Sequence, residues 1–120
     1  MSKGRAGGRW TEGRYWSFVR SALRRAAMKW PVKQDVLHAA RRSKKKGTPG
    51  RHRFEYQCNE CTKWFKGSEV QVDHIIPAGS LTCPEHLPEF VERLFCEEDG
   101  LQVLCKKCHH IKTQEERKRD

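Results

Sequence analysis

The chain has 120 residues, of which 36% are hydrophobic and 33% charged, a length that allows one small domain with appendages and excludes two full cores. Its 25 Lys and Arg residues outnumber 15 Asp and Glu residues, giving a formal net charge of +10. No apolar run approaches the roughly 20 residues of a membrane span, and no apolar stretch follows the basic N-terminus. We therefore expect a cytoplasmic protein that is neither secreted nor membrane-inserted.

The charge is unevenly distributed along the sequence. Residues 1–57 hold 16 Lys and Arg against three acidic residues, a net of +13, whereas residues 58–120 hold 9 against 12, a net of −3. A strongly basic segment attracts nucleic acid, because Lys and Arg release the counterions condensed on phosphates. The alternative is a solvated, solubilising tail. The predicted phosphate contacts are Arg14, Arg20, Arg24, Arg25, Arg41, Arg42, Lys44, Lys45 and Lys46.

The N-terminal half predicts helices between flexible segments. Residues 1–9 are basic and glycine-rich with nothing to bury, so we expect a disordered arm. Apolar residues then recur at three- and four-residue steps, which predicts a helix with Thr11 as its N-cap. Pro31 should end this helix or kink it sharply. A weaker helix over residues 33–42 precedes a Lys- and Gly-rich linker at residues 44–50.

The C-terminal half predicts a compact module that alternates short strands with helices. Alternating residues at 70–75 predict a strand, and apolar residues at helical steps predict an acidic amphipathic helix over residues 85–95. A short strand at 101–104 and a closing helix over 107–117 follow. We therefore predict an α+β protein with a basic arm, residues 1–53, and a module, residues 54–120.

Four of the six cysteines form two C-x2-C pairs. This spacing allows two thiolates of one tight turn to bind a single tetrahedral zinc ion. Because no export signal accompanies them, we expect structural Zn²⁺ rather than disulfides. The predicted ligands are Cys58, Cys61, Cys105 and Cys108.

The other two cysteines do not predict a second zinc site. Cys83 and His86 form a C-x2-H pair, but Cys96 is the only obvious further ligand. Cys96 lies on an apolar face, where cysteine often acts as a small hydrophobic residue.

Two further motifs lie in the module. Residues 72–77 read Val-Asp-His-Ile-Ile-Pro, and residues 101–113 read Leu-Gln-Val-Leu-Cys-Lys-Lys-Cys-His-His-Ile-Lys-Thr. Together with the first cysteine pair, they resemble the motifs of HNH endonucleases over about residues 54–113. The N-terminal half resembles, more loosely, the arm of small phage-encoded members of that family. The resemblance implies a ββα-metal fold, in which a helix packs across a two-stranded hairpin and one catalytic divalent cation lies between them.

The resemblance also implies roles for individual residues. His74 would be the general base, and Asp73 and His109 would bind the cation, which could be Mg²⁺, Mn²⁺ or Ni²⁺. A base-activated water would attack phosphorus and leave 5′-phosphate and 3′-hydroxyl ends. Accessory roles fall to His110, Lys112 and Asp99.

The sequence departs from the family pattern at two places. The middle Asn of the family is replaced by Gly100, so Asp99 or Gln102 substitutes for it, or backbone contacts alone brace the hairpin. His110 directly follows His109, which leaves two imidazoles that could face the cation; motif position favours His109.

The predicted function is therefore metal-dependent hydrolysis of DNA phosphodiester bonds, in the host cytoplasm if the protein is phage-encoded. DNA would be bound mainly through its phosphates, which supply affinity more than sequence choice. Phage packaging (terminase) proteins are further candidate partners. The main alternative is an inactive zinc-ribbon protein that binds nucleic acid on the same scaffold, and a weaker one is an RNA-associated basic protein.

Overall fold

The computed structural model describes residues 4–119 and confirms a mixed α+β protein. Within these residues, no helix is both long enough and apolar enough to cross a membrane. The helices are α1 (Glu12–Ala27), α2 (Pro31–Ala39), α3 (Leu87–Leu94) and α4 (Lys106–Arg119). The strands are β1 (Arg41–Ser43), β2 (Phe54–Gln57), β3 (Trp64–Lys66), β4 (Val70–His74) and β5 (Leu101–Cys105).

The chain forms two compact units that interleave along the sequence. The first unit combines the N-terminal segment up to Trp30 with Ile76–Cys96, and the second combines Pro31–Ile75 with the segment from Glu97 onward. The boundary predicted after residue 53 lies inside the second unit, between β1 and β2. By sequence, the first unit has nine Lys and Arg against four acids and the second 16 against 11, so each carries +5. The charge asymmetry between the two halves of the sequence is therefore not an asymmetry between the units.

The segment before α1 forms an ordered turn. Arg5 and Trp10 exchange backbone hydrogen bonds of 2.8 and 3.1 Å, and Gly7 takes a φ of 68°, which glycine adopts without steric cost. The Arg5 guanidinium lies 2.7 Å from the Glu12 carboxylate and, by this hydrogen bond, lowers the pKa of Glu12. The prediction of disorder is therefore wrong for residues 4–9, because their charge is partly neutralised locally; residues 1–3 lie outside the described part.

Helix α1 supplies one wall of an apolar core in the first unit. The Thr11 hydroxyl accepts a hydrogen bond from the Arg14 N–H at 3.2 Å, which confirms the predicted N-cap. The helix buries Trp16 and Ala27. The other buried members of this cluster are Ala78, Leu81, Phe90 and Leu94. The apolar spacing of α1 thus produces a core that contains no metal-binding group.

The acidic helix predicted over residues 85–95 is a 3₁₀ turn at Pro84–His86 followed by α3. Phe90 and Leu94 are buried one helical turn apart, as the spacing predicts. The segment after α3 is held by Trp30, whose indole N–H donates to the Cys96 carbonyl at 2.7 Å.

The second unit contains an antiparallel sheet in the order β1-β2-β3. The helix predicted over residues 33–42 ends at Ala39, and Arg41–Ser43 form β1 instead. This correction has a long-range cause, because Arg41 pairs with Tyr56 and its guanidinium stacks on Phe54, 4.2 Å from the ring centre. The predicted linker at residues 44–50 lies within the connection from β1 to β2.

A separate antiparallel pair, β4 and β5, leads directly into α4. In its register, Asp73 faces Gln102 and His74 faces Leu101. Helix α4 starts one residue after β5 ends and packs on both strands. The strands predicted at 70–75 and 101–104 and the helix predicted at 107–117 are confirmed, with small shifts at their ends.

Candidate functional site

The four cysteines of the two C-x2-C pairs lie together in the second unit. Their sulfur atoms are all within 4.8 Å of one another, and the Cys61 and Cys105 sulfurs are 4.0 Å apart. In a tetrahedral site with Zn–S bonds of about 2.3 Å, sulfur atoms are separated by about 3.8 Å. The cluster could therefore hold one metal ion after a small contraction.

The first cysteine pair lies on a tight turn between β2 and β3. The Cys58 N–H donates to the Lys63 carbonyl, and the Thr62 N–H donates to the Cys58 carbonyl, both at 3.0 Å. Thr62 takes a φ of 64°, a left-handed conformation that is unfavourable for a β-branched residue. The second pair connects Cys105 at the end of β5 to Cys108 in the first turn of α4. One closed turn and one strand-to-helix junction thus bring the thiols together.

Two of these thiols have pKa values displaced in opposite directions. Burial raises the pKa of Cys58, but hydrogen bonds from the backbone of Cys105, Cys61 and Glu60 outweigh it and lower the pKa to about 6. Burial and the neighbouring thiols raise the pKa of Cys108 to about 12. The cluster therefore favours one thiolate and disfavours a further one, since like charges repel without a cation. Metal binding requires thiolates and releases their protons.

The remaining two cysteines lie in the first unit. The backbone carbonyl of Cys96 is a hydrogen-bond acceptor, and His86 Nδ1 lies 3.2 Å from the Thr82 backbone nitrogen, which donates to it. Among the described residues, neither Cys83 nor Cys96 belongs to a group of three or more side chains that could hold a metal ion.

A second polar cluster lies where α4 packs on β4. Asp73, on β4, is only 12% exposed, and its Oδ1 is 3.5 Å from His109 Nε2. Its Oδ2 is 2.6 Å from Lys112 Nζ, which also donates to the backbone carbonyl of His74. His109 and Lys112 are three residues apart and so share one face of α4. The motif residues predicted from two distant segments are therefore adjacent in space.

The structure distinguishes the two adjacent histidines. His109 is half-buried and contacts Asp73, whereas His110 is exposed. Successive residues of a helix point about 100° apart, so only one of the two can face β4. The histidine that faces Asp73 is the one favoured by its motif position.

Asp73 and His109 are close enough for both side chains to contact one cation. Carboxylate oxygen and imidazole nitrogen bind such ions at about 2.0–2.2 Å, so atoms 3.5 Å apart can both reach one ion. His74 follows Asp73 at the end of β4 and is half-buried. Adjacent strand residues project to opposite sides, which allows His74 and Asp73 to have different roles.

Two sets of contacts join β4 and β5 near Gly100. The Ile75 N–H donates to the Gly100 carbonyl at 3.0 Å, so the backbone joins the ends of β4 and β5. The Gln102 amide donates to Asp73 Oδ2 at 3.2 Å and accepts a hydrogen bond from the Asn59 amide at 2.9 Å. The sequence singled out Gln102 as one substitute, but it gave no indication of Asn59, which lies 43 positions from Gln102.

The predicted phosphate contacts separate into exposed and half-buried side chains. Arg20 lies over the Phe90 ring, Arg42 stacks on Trp64 at 3.8 Å, and Lys44 donates to the Gly50 carbonyl. The Arg42 Nε is buried, with no hydrogen-bond partner among the described residues. The exposed members of the predicted set are Arg14, Arg24, Arg25, Arg41, Lys45 and Lys46.

Comparisons with models of known protein families, with curated proteins and with solved structures found no match to this chain.

Proposed function

We propose that the protein is a metal-dependent endonuclease of the HNH type that hydrolyses DNA phosphodiester bonds. The observation that carries this proposal is the 3.5 Å approach of Asp73 Oδ1 to His109 Nε2. These residues lie in separate motifs, and their approach next to His74 brings two candidate cation ligands together with a candidate base. The β4, β5 and α4 arrangement is compatible with a ββα-metal module.

In this proposal, the four cysteines bind structural zinc. A site closed by four thiolates leaves no open position for substrate, so its role is to hold β5, α4 and the first cysteine turn together. The catalytic cation is a different ion. Asp73 and His109 would hold it, leaving further positions for water and phosphate oxygen, as Mg²⁺ and Mn²⁺ prefer.

His74 would act as the general base. Its neutral imidazole takes a proton from water as the water oxygen forms a bond to phosphorus and the bond from phosphorus to the 3′-oxygen breaks. The products are a 5′-phosphate and, after protonation of the leaving oxygen, a 3′-hydroxyl. A cation held by Asp73 and His109 would neutralise the negative charge that develops on the phosphate.

DNA would be bound mainly through its phosphates by the exposed Arg and Lys side chains. Six of the nine predicted contacts are exposed and can reach a phosphate without breaking an internal salt bridge. The three half-buried side chains, Arg20, Arg42 and Lys44, would contribute less. Such contacts give affinity rather than sequence preference.

One observation favours the inactive nucleic-acid-binding alternative. The Lys112 ammonium lies 2.6 Å from Asp73 and already neutralises the carboxylate that would bind the cation. A strong internal ion pair lowers the affinity of that carboxylate for Mg²⁺. Cation-dependent cleavage separates the two functions, since a binding protein would retard DNA without cutting it.

The test is plasmid cleavage at low salt with Mg²⁺, Mn²⁺, Ni²⁺ or excess EDTA. We expect nicked or linear product that depends on an added cation and is abolished by His74→Ala. The matched control is His110→Ala, which removes an exposed imidazole and should leave cleavage unchanged. Intact but retarded plasmid with every cation would contradict the nuclease and support the binding protein.

A further inference from the structure

A chain of hydrogen bonds connects the first cysteine turn to Asp73. The Asn59 side-chain amide donates to Gln102 Oε1 at 2.9 Å, and Gln102 Nε2 donates to Asp73 Oδ2 at 3.2 Å. The Asn59 backbone N–H also donates to the Val103 carbonyl at 2.8 Å. Asn59 is therefore attached to β5 at two adjacent residues.

The Asp73 carboxylate determines which group donates and which accepts in each of these hydrogen bonds. An ionised Asp73 can only accept hydrogen bonds, so Gln102 must turn its NH₂ group toward it. The Gln102 carbonyl oxygen then faces Asn59, which must in turn present its own NH₂ group. Each amide has one orientation that satisfies both neighbours, and an acidic side chain in place of either amide would break the chain.

The two carboxylate oxygens of Asp73 have different partners. Oδ2 accepts from Gln102 and from Lys112, whereas Oδ1 is the oxygen that faces His109 Nε2. Two donors on one oxygen fix the plane of the carboxylate. Oδ1 is thereby held toward His109 without a contribution from a side chain at position 100.

Asn59 also connects this carboxylate to the cysteine cluster. It directly follows Cys58, within the turn that carries the Cys58 and Cys61 thiols. A metal ion that fixes the four cysteines would fix Asn59, and through Gln102 it would fix Asp73.

We infer that Asn59 and Gln102 are positioning residues that hold Asp73 for the divalent cation and couple its orientation to the four-cysteine centre. The inference rests on the proposed function. Partners that orient a metal ligand typically change metal affinity or activity by roughly 10–100-fold when they are removed. They take the place of the Asn that Gly100 replaces.

The experiment measures the affinity of the zinc-loaded, full-length protein for Mn²⁺ by electron paramagnetic resonance. Asn59→Asp keeps the shape of the side chain but cannot donate to Gln102, so we expect Mn²⁺ to bind at least roughly 10-fold more weakly. Zinc content and DNA affinity at low salt should be retained. The matched control, Lys63→Gln, makes the same change of one charge unit in the same turn and should not alter Mn²⁺ affinity.

A second variant covers the case in which Asn59→Asp disturbs the cysteine turn and loses zinc. Gln102→Met lies outside that turn, removes both hydrogen bonds to the amide, and should weaken Mn²⁺ binding similarly with zinc retained. Unchanged Mn²⁺ affinity in a zinc-loaded variant, with an active wild type, would overturn the inference alone. A wild type that neither binds Mn²⁺ nor cleaves DNA would overturn the proposed function and the inference with it.

Discussion

The two units of this chain are stabilised by different means. In the first unit, α1 and α3 contribute buried aromatic and aliphatic side chains, among them Trp16, Phe90 and Leu94. In the second unit, Cys58 and Cys105 belong to a buried cluster whose largest apolar member is Leu104, with Phe65 packed against it. A small chain with few hydrophobic residues can thus build one apolar core and organise the rest around thiols that could hold a metal ion.

Loss of metal binding by the four cysteines should have the largest effect, and it should be confined to the second unit. Cys105→Ser, or a strong chelator, should unfold the second unit, because structural zinc contributes on the order of 10 kcal/mol to folding at neutral pH. Hydrogen exchange resolved by mass spectrometry should show loss of protection in β5 while α1 stays protected. Cys83→Ser is the matched control, since Cys83 lies outside the cluster. Full protection of β5 after metal removal would contradict this account.

The reverse experiment removes the apolar core. Phe90 is 1% exposed, and Phe90→Ala should destabilise the first unit by about 3–5 kcal/mol through lost burial and an internal cavity. Hydrogen exchange in α1 and α3 measures this, and the metal content of the cysteine cluster should not change. Phe18→Ala is the control, because Phe18 is 53% exposed and its loss should cost far less. Equal costs for the two substitutions would show that the core is wrongly placed.

A smaller effect is expected at the start of α1. Thr11→Ala removes the hydroxyl that accepts the Arg14 N–H and should destabilise the first unit by about 1 kcal/mol. Thermal or urea unfolding measures the loss, and Thr11→Ser should restore most of the stability. If Ala and Ser behave alike at this position, the cap contributes nothing.

The corresponding change in the second unit should have the opposite sign. Thr62 has a φ of 64°, and Thr62→Gly relieves a conformation that costs other residues about 1–2 kcal/mol. Because glycine also loses more entropy on folding, we expect a net gain of less than about 1 kcal/mol. Urea unfolding of the metal-loaded protein measures it. Lys63→Gly, at a neighbouring position without a positive φ, should destabilise instead; a loss of stability in Thr62→Gly would contradict the assigned strain.

The elements that the sequence predicts correctly are those encoded by local patterns. The apolar spacing and the Thr11 cap define α1, and the alternation at residues 70–75 defines β4. Strand β1 could not be predicted, because Arg41 leaves the helical pattern only through its pairing with Tyr56. The interleaving of the two units could not be predicted from the sequence either, since it depends on contacts between distant segments.

In the candidate site, too, local sequence patterns predict some features, whereas others depend on contacts between distant segments. The cysteine spacing predicts a cluster that the structure shows, and the motifs name Asp73 and His109 before their distance is known. Asn59 could not be found in this way, because its relation to Gln102 arises from the packing of the cysteine turn on β5. Asn59 is one of two polar residues between Cys58 and Cys61, and no sequence pattern distinguishes it.

A catalytic cation held by Asp73 and His109 is tested most directly by comparing His109→Ala with His110→Ala in zinc-loaded protein. Both variants remove one imidazole from the same turn of α4, but only His109 contacts Asp73. Plasmid cleavage is measured against Mn²⁺ concentration. We expect wild-type cleavage for His110→Ala, with 5′-phosphate and 3′-hydroxyl ends, and no cleavage for His109→Ala. Equal activity of the two variants would contradict a catalytic cation held by Asp73 and His109.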